Sequence, residues 1–153
     1  MHVHGVLLGP DGKELFSQSN PGQVTLTGRN VVKIADLYNA LAITDTNFKD
    51  SLNYDVSPYQ ELQLWCLNTH NQAVELYGSI LFNGGNYTIA DTTGNAVKLT
   101  LPLGMSRVAL ITPSDFKVLN AKSHAAQVMK FRAVAPTAPT SGSLTVLLMG
   151  RVN

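Results

Sequence analysis

The chain has 153 residues, of which 44% are hydrophobic and 14% are charged, and its formal net charge is +1. This length predicts a single domain with a core of its own. A near-zero charge without a run of Lys or Arg excludes the basic stripe that nucleic-acid-binding proteins carry. The charged fraction is well below the usual value of about 25% and leaves a neutral polar surface. Such a surface suits repeated protein contacts, because few charges lose water there.

Two patterns bear on where the protein is made. No apolar run reaches the roughly 18 residues that a bilayer-spanning helix needs. The first residues, Met1 to Gly5, lack the basic end and the long apolar run of a signal peptide. We therefore expect synthesis in the cytoplasm and no membrane partner.

Residues 1–56 are predicted to form a turn-rich N-terminal arm or strand-rich extension. Turn signals at Gly9–Gly12 and Asn20–Gly22 interrupt short apolar runs, and Val31–Ile34 is a candidate strand. Beyond it, apolar residues follow the helical spacing i, i+3, i+4, i+7, i+8: Ile34, Leu37, Tyr38, Leu41 and Ala42. This spacing favours a turn of helix or an irregular arm, which ends before Ser57-Pro58.

Residues 57–153 are predicted to form an all-β core, an antiparallel β-sandwich of jelly-roll-like type that makes one structural unit with the arm. Short alternating segments recur between turn signals about every 8–12 residues, which is typical of a sandwich or barrel. Long helical segments between the strands, as a parallel α/β sheet would need, are missing from the pattern. The predicted strands are residues 61–68, 73–82, 87–90, 97–101, 107–111, 116–119, 127–134 and 144–152.

Histidine and cysteine give weak metal signals. His2 and His4 are two residues apart and would share one face of a strand, but a site needs further ligands. The remaining histidines, His70 and His124, fall in predicted polar turns or loops, where solvated side chains are the simpler interpretation. The single cysteine, Cys66, forms no internal disulfide and is interpreted as a small buried hydrophobic residue.

Catalytic patterns are also weak. No Gly-x-Ser-x-Gly elbow surrounds Ser79 or any other serine, and no glycine-rich phosphate loop precedes a helix. Four acidic residues could pair as in glycosidases, yet they fall in a turn-rich, solvated region: Asp45, Asp50, Asp55 and Glu61. We therefore assign no catalytic, cofactor-binding or metal-binding residue, and we predict a protein without enzymatic activity or a cofactor. A hydrolase would require a cleft with converging carboxylates.

The aromatic residues allow two interpretations. Five of them could form a surface on which sugars stack: Tyr54, Tyr59, Trp65, Tyr77 and Tyr87. Aromatic side chains are also favoured in strands, where they pack across neighbouring strands, and we favour this core interpretation. An aromatic platform exposed on the surface would support the sugar-stacking interpretation instead.

Three segments resemble small β-sandwich virion structural proteins of tailed bacteriophages. Residues 20–28 match the phrase Asn-Pro-x-x-Val-x-Leu-x-Gly near the N-termini of such proteins, with Gly22-Gln23 in place of the typical Leu-Pro. Residues 64–69 with 73–79 look like their central hairpin, and residues 131–151 look like their last hairpin. The three segments cover less than half of the chain.

The resemblance implies a virion structural protein, made in the host cytoplasm and found in the virion. The expected function is that of a capsid decoration (cement) protein that binds the major capsid protein, stabilises the capsid and forms a homotrimer. The alternative is a tail or baseplate component whose β-sandwich binds a carbohydrate or a receptor. In either case we expect no nucleic-acid partner.

Overall fold

The computed structural model describes residues 30–59, 61–111 and 128–152. Every regular element in these residues is a β-strand, and the strands form two antiparallel sheets packed as a β-sandwich, which confirms the predicted all-β class. The strands are β1 (Asn30–Leu41), β2 (Lys49–Asp50), β3 (Tyr54–Asp55), β4 (Glu61–Asn68), β5 (Val74–Phe82), β6 (Gly85–Thr88), β7 (Lys98–Leu101), β8 (Ala109–Ile111), β9 (Val128–Val134) and β10 (Leu144–Val152).

The first sheet has the strand order β1-β10-β4-β8. Its centre is the long pairing of β10 with β4, in which Leu144 lies opposite Asn68 and Arg151 opposite Glu61. In the second sheet β9 and β5 pair at the centre. The short strands β2 and β3 follow the outer edge of β9, and β6 and β7 follow the outer edge of β5.

The core lies between the two sheets and follows the period-two alternation of the strands. In β4, exposed or half-buried residues alternate with buried ones, as the sequence predicts. Removing these inward apolar side chains from water is the main stabilising contribution to the fold. The completely buried side chains include Leu62, Leu64, Cys66, Leu76, Met129, Phe131, Leu144, Val146 and Leu148.

The helix-like prediction for residues 34–42 is wrong, because this segment is strand β1. Its pairing with β10 has register shifts between Lys33 and Ala35, between Asp36 and Tyr38, and between Tyr38 and Leu41. Each irregularity adds a residue and turns the following side chains to the other face of the sheet. A strand with repeated shifts therefore places its apolar residues at spacings of three and four, which imitate a helix.

Two predicted hairpins are also wrong. β4 and β5 belong to different sheets, as do β9 and β10, so both connections cross the sandwich. A true hairpin joins β5 to β6, where Asn83 and Gly84 have φ of 48° and 78°. Positive φ at both central residues defines the Asn-Gly turn that matches strand twist, and it confirms the turn predicted at residues 83–86.

The region predicted as an arm is divided at residue 30. Residues 30–56 supply β1, β2 and β3, which pair with β10 and β9 and so form part of the sandwich. Residues 1–29 lie outside the described residues, and with them the turn signals and the phrase at residues 20–28. The predicted strand at residues 116–119 is outside them as well.

Candidate functional site

The outer face of the first sheet carries a cluster of apolar side chains among polar ones. Trp65 of β4 lies between Leu110 of β8 and Leu147 of β10, which makes a row across three strands. Leu67 and Met149 flank this row on the same side, because side chains two residues apart in a strand share a face. We call these five residues the apolar face.

Side chains in this row are accessible despite their apolar character. Trp65 is 40% exposed and Leu110 is 51% exposed, while Leu67, Leu147 and Met149 are half-buried. The core interpretation of the aromatic residues is therefore wrong for Trp65. Val108, which is 53% exposed, precedes β8 and extends the apolar region next to Leu110. Contiguous apolar surface of this kind marks contact sites more often than scattered single residues do.

Ion pairs border the apolar face on two sides. On β1, the Lys33 ammonium lies 3.1 Å from the Asp36 carboxylate, and Asp36 is opposite Leu147. Across β10 and β4, Arg151 Nη1 lies 2.9 Å from Glu61 Oε2. Each pair is neutral by itself, so the border carries charged groups without a net charge.

The outer face of the second sheet has a different chemistry, centred on Asp50. Its carboxylate contacts Lys130 Nζ at 2.7 Å and Arg132 Nε at 2.8 Å, and these hydrogen bonds lower the pKa of Asp50. The Arg132 guanidinium also lies 4.3 Å from the centre of the Phe48 ring, which in turn meets the Tyr77 ring edge-on at 5.8 Å.

A third ion pair continues this network along β5 and β7. Lys98 Nζ lies 2.5 Å from Glu75, and the Tyr77 hydroxyl donates a hydrogen bond of 2.8 Å to the same carboxylate. The hydrogen bond from Lys98 is the main cause that lowers the pKa of Glu75. The outer faces of the two sheets thus differ, one being apolar and the other ionic and aromatic.

The acidic residues considered for glycoside chemistry serve local structure. Asp45 forms an ion pair with Lys49 at 2.9 Å, and Asp55 accepts a hydrogen bond of 2.9 Å from the backbone N–H of Ser57. Hydrogen bonds from these partners lower the pKa of both carboxyls, as those from Lys130 and Arg132 do for Asp50. A glycosidase acid needs a raised pKa, so these three carboxyls are poorly suited to that role.

His70 differs from its predicted solvated state, because it is only 1% exposed. Its Nδ1 lies 2.9 Å from the Ser141 carbonyl and donates to it, since a carbonyl can only accept. Its Nε2 accepts from the backbone N–H of Ile43 at 3.4 Å. With both ring nitrogens engaged, His70 connects three loops and offers no free metal ligand.

The other candidate nucleophiles and ligands are similarly occupied or lie elsewhere. Cys66 is completely buried, as predicted, and burial raises the pKa of its thiol to about 12, which keeps it protonated. Ser79 is completely buried as well. Within the described part of the chain no group of three or more His, Cys, Asp and Glu side chains could hold a metal, and His2, His4 and His124 lie outside it.

The remaining aromatic residues divide between core and surface. Tyr54 and Tyr59 pack against the core, as predicted, whereas Tyr87 is 58% exposed on β6.

Neither Leu110 nor Leu147 is a candidate in the sequence-based prediction. A signal for Leu147 is nevertheless present, because residues 146–149 are apolar without alternation, a pattern typical of a strand covered on both faces.

Comparison of the chain with protein-family models, with curated proteins and with solved structures finds no match. Among the described residues there is no helix long and apolar enough to cross a membrane.

Proposed function

We propose that this protein is a non-enzymatic structural protein that works by stable contact with other proteins. The single observation that supports this most strongly is the apolar face, with Trp65 exposed at its centre and ion pairs along its border. Burying a surface of this type costs little free energy, because few charged groups lose their water. A catalytic site, by contrast, needs polar groups that converge in a cleft.

The particular assembly that we propose is a phage capsid, on which the chain acts as a decoration protein bound to the major capsid protein as a homotrimer. The resemblance of residues 20–28 to a phrase near the N-termini of virion proteins supports this choice, as does the low charge of the whole chain. The mechanism is adhesion: area buried between subunits and at the shell holds neighbouring capsid subunits together.

Co-sedimentation tests this function. The purified chain is mixed with expanded capsids that lack their decoration protein, assembled from the major capsid protein encoded in the same genome. We expect saturable binding at a fixed ratio to capsid subunits and no binding to unexpanded shells, and a mass measurement gives the number of chains in the bound unit. Absence of binding to the expanded capsids would argue against the decoration function.

The second candidate function is carbohydrate or receptor binding as a tail or baseplate component. It is favoured by one observation, the exposure of Trp65 and Tyr87, because an exposed aromatic ring is the platform on which sugars stack. Trp65 is the only tryptophan, so its fluorescence reports directly on such binding. If titration with host surface polysaccharide leaves the Trp65 emission unchanged, Trp65 is not the platform.

A further inference from the structure

We propose that Arg132, on the outer face of the second sheet, binds a carboxylate group carried by an acidic saccharide. The site lies on the opposite sheet from Trp65 and uses none of the residues of the apolar face. It goes beyond the decoration function and does not depend on it.

The Arg132 guanidinium is held in place from two directions. Its Nε donates to Asp50 Oδ1 at 2.8 Å, and its Cζ lies 4.3 Å from the centre of the Phe48 ring. A guanidinium that shares a carboxylate and stacks on an aromatic ring has already lost part of its rotamer freedom. A ligand that binds it therefore costs less side-chain entropy than one that must order a free arginine.

The two terminal amino groups of Arg132 remain for a ligand. The contact with Asp50 uses only the N–H of Nε. Within the described part of the chain, Nη1 and Nη2 have no hydrogen-bond partner in the protein, and neither is buried. Both groups therefore face water, and a planar carboxylate can accept two parallel N–H···O bonds from the edge that they form.

The charge balance around Arg132 favours an anion with a single charge. Both oxygens of Asp50 are engaged, since Oδ2 contacts Lys130 Nζ at 2.7 Å while Oδ1 contacts Arg132. The Glu75 carboxylate is paired with Lys98. Three cations thus face two carboxylates, and an excess of one positive charge suits a carboxylate better than a doubly charged phosphate.

The remaining charged residues of β2 and β3 do not cancel this excess. Lys49 forms a closed pair with Asp45 at 2.9 Å. Asp55 lies opposite Val128, so its distance from Arg132 along β9 is about 13 Å at roughly 3.3 Å per residue. This separation exceeds the Debye length of about 8 Å at physiological ionic strength, so salt screens the charge of Asp55 from the site.

The surroundings of Arg132 favour a saccharide over an acidic peptide. At this level β9 is paired with β2 on one side and with β5 on the other, so a peptide cannot add a strand beside Arg132. A sugar instead offers hydroxyl groups, which can both donate and accept hydrogen bonds. The Tyr77 hydroxyl and the Glu75 carboxylate lie on the same face, and the 46% exposed Phe48 ring provides a surface on which a sugar ring can stack.

Titration with a defined acidic saccharide tests the proposal. The probe is a tetramer of galacturonate, and its fully methyl-esterified form is the matched control, because the ester removes the charges and keeps the sugar rings. Binding is followed by ¹H–¹⁵N chemical shifts of the backbone and of Arg132 Nε–H. We expect saturable binding of the acid, with shifts centred on Arg132 and Phe48, and binding of the ester that is weaker by about tenfold or more. Absence of binding of the acid would overturn the proposal, and so would equal binding of the ester.

A matched pair of variants then locates the contact. Arg132→Lys keeps the positive charge but loses the planar pair of donors, so it should weaken binding by about fivefold or more. Arg107→Lys makes the same change at an exposed arginine between β7 and β8 and should bind as the wild type does. Equal binding by the two variants would contradict the role of Arg132. Circular dichroism checks that both fold, and the chemical shifts of the wild type remain decisive if either does not.

Two further probes distinguish the saccharide from other anions. Tetraglutamate and inorganic phosphate are titrated in the same way, and both should bind more weakly than the galacturonate tetramer. Tighter binding of tetraglutamate would assign the site to an acidic protein partner, and equal binding of phosphate would leave a general anion site, so either result would overturn the proposal. A change in Trp65 emission with unchanged Arg132 signals would place the saccharide on the apolar face and overturn it as well.

These measurements use the chain alone, which separates this proposal from the decoration function. Saccharide binding by a chain that does not bind expanded capsids would support the Arg132 site and remove the decoration function. Capsid binding by a chain that does not bind the galacturonate tetramer would overturn the Arg132 site and leave the decoration function intact.

Discussion

Tyr38 connects the two sheets through a single hydroxyl group. Its residue belongs to β1 in the first sheet, and its hydroxyl donates to the Lys49 carbonyl of β2 in the second sheet at 2.7 Å. The Phe131 carbonyl of β9 lies 3.3 Å from the same oxygen. Burial is the main cause that raises the pKa of Tyr38 above its ordinary value, and the charge of Asp50 adds to it. The phenol therefore keeps its proton and remains a donor at neutral pH.

Replacing Tyr38 by phenylalanine should lower the free energy of unfolding by about 1–2 kcal/mol, because buried carbonyl groups lose their donor while the ring still fills its place. Urea denaturation measures the change. Tyr87→Phe is the control, since that hydroxyl belongs to a 58% exposed side chain and its removal should change stability by less than about 0.5 kcal/mol. Equal stability of the two variants would show that the Tyr38 hydroxyl does not link the sheets.

At the scale of elements, the two connections that cross the sandwich are bound to each other. The Thr69 N–H donates to the Ser143 carbonyl at 2.9 Å, and the Ser143 N–H donates to the Thr69 hydroxyl at 2.9 Å. Asn71 and Thr140 exchange a second pair of hydrogen bonds, at 2.7 and 3.0 Å. The β4–β5 and β9–β10 connections thus close one end of the molecule as a unit.

Gly142 makes this closure possible, which gives a prediction. Its φ is 88°, and a Cβ atom at this position would collide with the Thr69 carbonyl oxygen. Gly94 has a similar φ of 85°, and a Cβ atom there would have no neighbour within 4 Å, so Gly94→Ala measures the backbone strain alone, about 1–2 kcal/mol. We expect Gly142→Ala to lower the free energy of unfolding by clearly more, about 4 kcal/mol or above, in urea denaturation. Similar losses for both variants would mean that the connections do not need their close approach.

Strand β2 has only two residues, and beside its backbone pairing with β9 the Asp50 ion pairs to Lys130 and Arg132 attach it, which adds a dependence on pH. Because the pKa of Asp50 is lowered in the folded protein, its ion pairs contribute their full stabilisation above the unfolded-state pKa of about 4. This contribution is lost as the pH falls through the lower pKa of the folded state. The free energy of unfolding should therefore decrease on acidification, and less steeply in Asp50→Asn. Denaturation from pH 6 downwards measures both slopes. A steeper decrease for Asp50→Asn than for the wild type would contradict this role, and high salt should reduce the difference between them.

The sequence predicts some elements better than others for physical reasons. β4 and β10 are long segments rich in apolar residues with turn residues before them, so the sequence predicts their bounds directly. β2 and β3 are too short to show any period, and the register shifts of β1 give its apolar residues a helical spacing. Alternation also shows which face a residue occupies but not which strand lies beside it. The row that Trp65 forms with Leu110 and Leu147 therefore cannot be predicted from the sequence, because only strand pairing brings these residues together.

At the scale of the whole molecule, none of the described strand pairings includes residues 1–29, because β1 begins at Asn30 opposite Val152. We predict that their deletion leaves the thermal unfolding midpoint within a few degrees of the wild type but abolishes attachment to capsids. Co-sedimentation and circular dichroism measure the two effects. A truncated chain that binds capsids with full affinity would show that attachment depends on the sandwich alone.

The interior position of β10 has a consequence for the order of events during synthesis. β10 is the last of the described strands along the chain, yet it lies between β1 and β4, so neither can complete its pairing until β10 has been synthesised. About a hundred residues separate β1 from β10. At a synthesis rate of about 5–20 residues per second, β1 waits for its partner for roughly 5–20 s. During that time Trp65, Leu67 and their inward neighbours on β4 have one open edge. An unpaired edge of this kind makes the nascent chain prone to aggregation until β10 fills it.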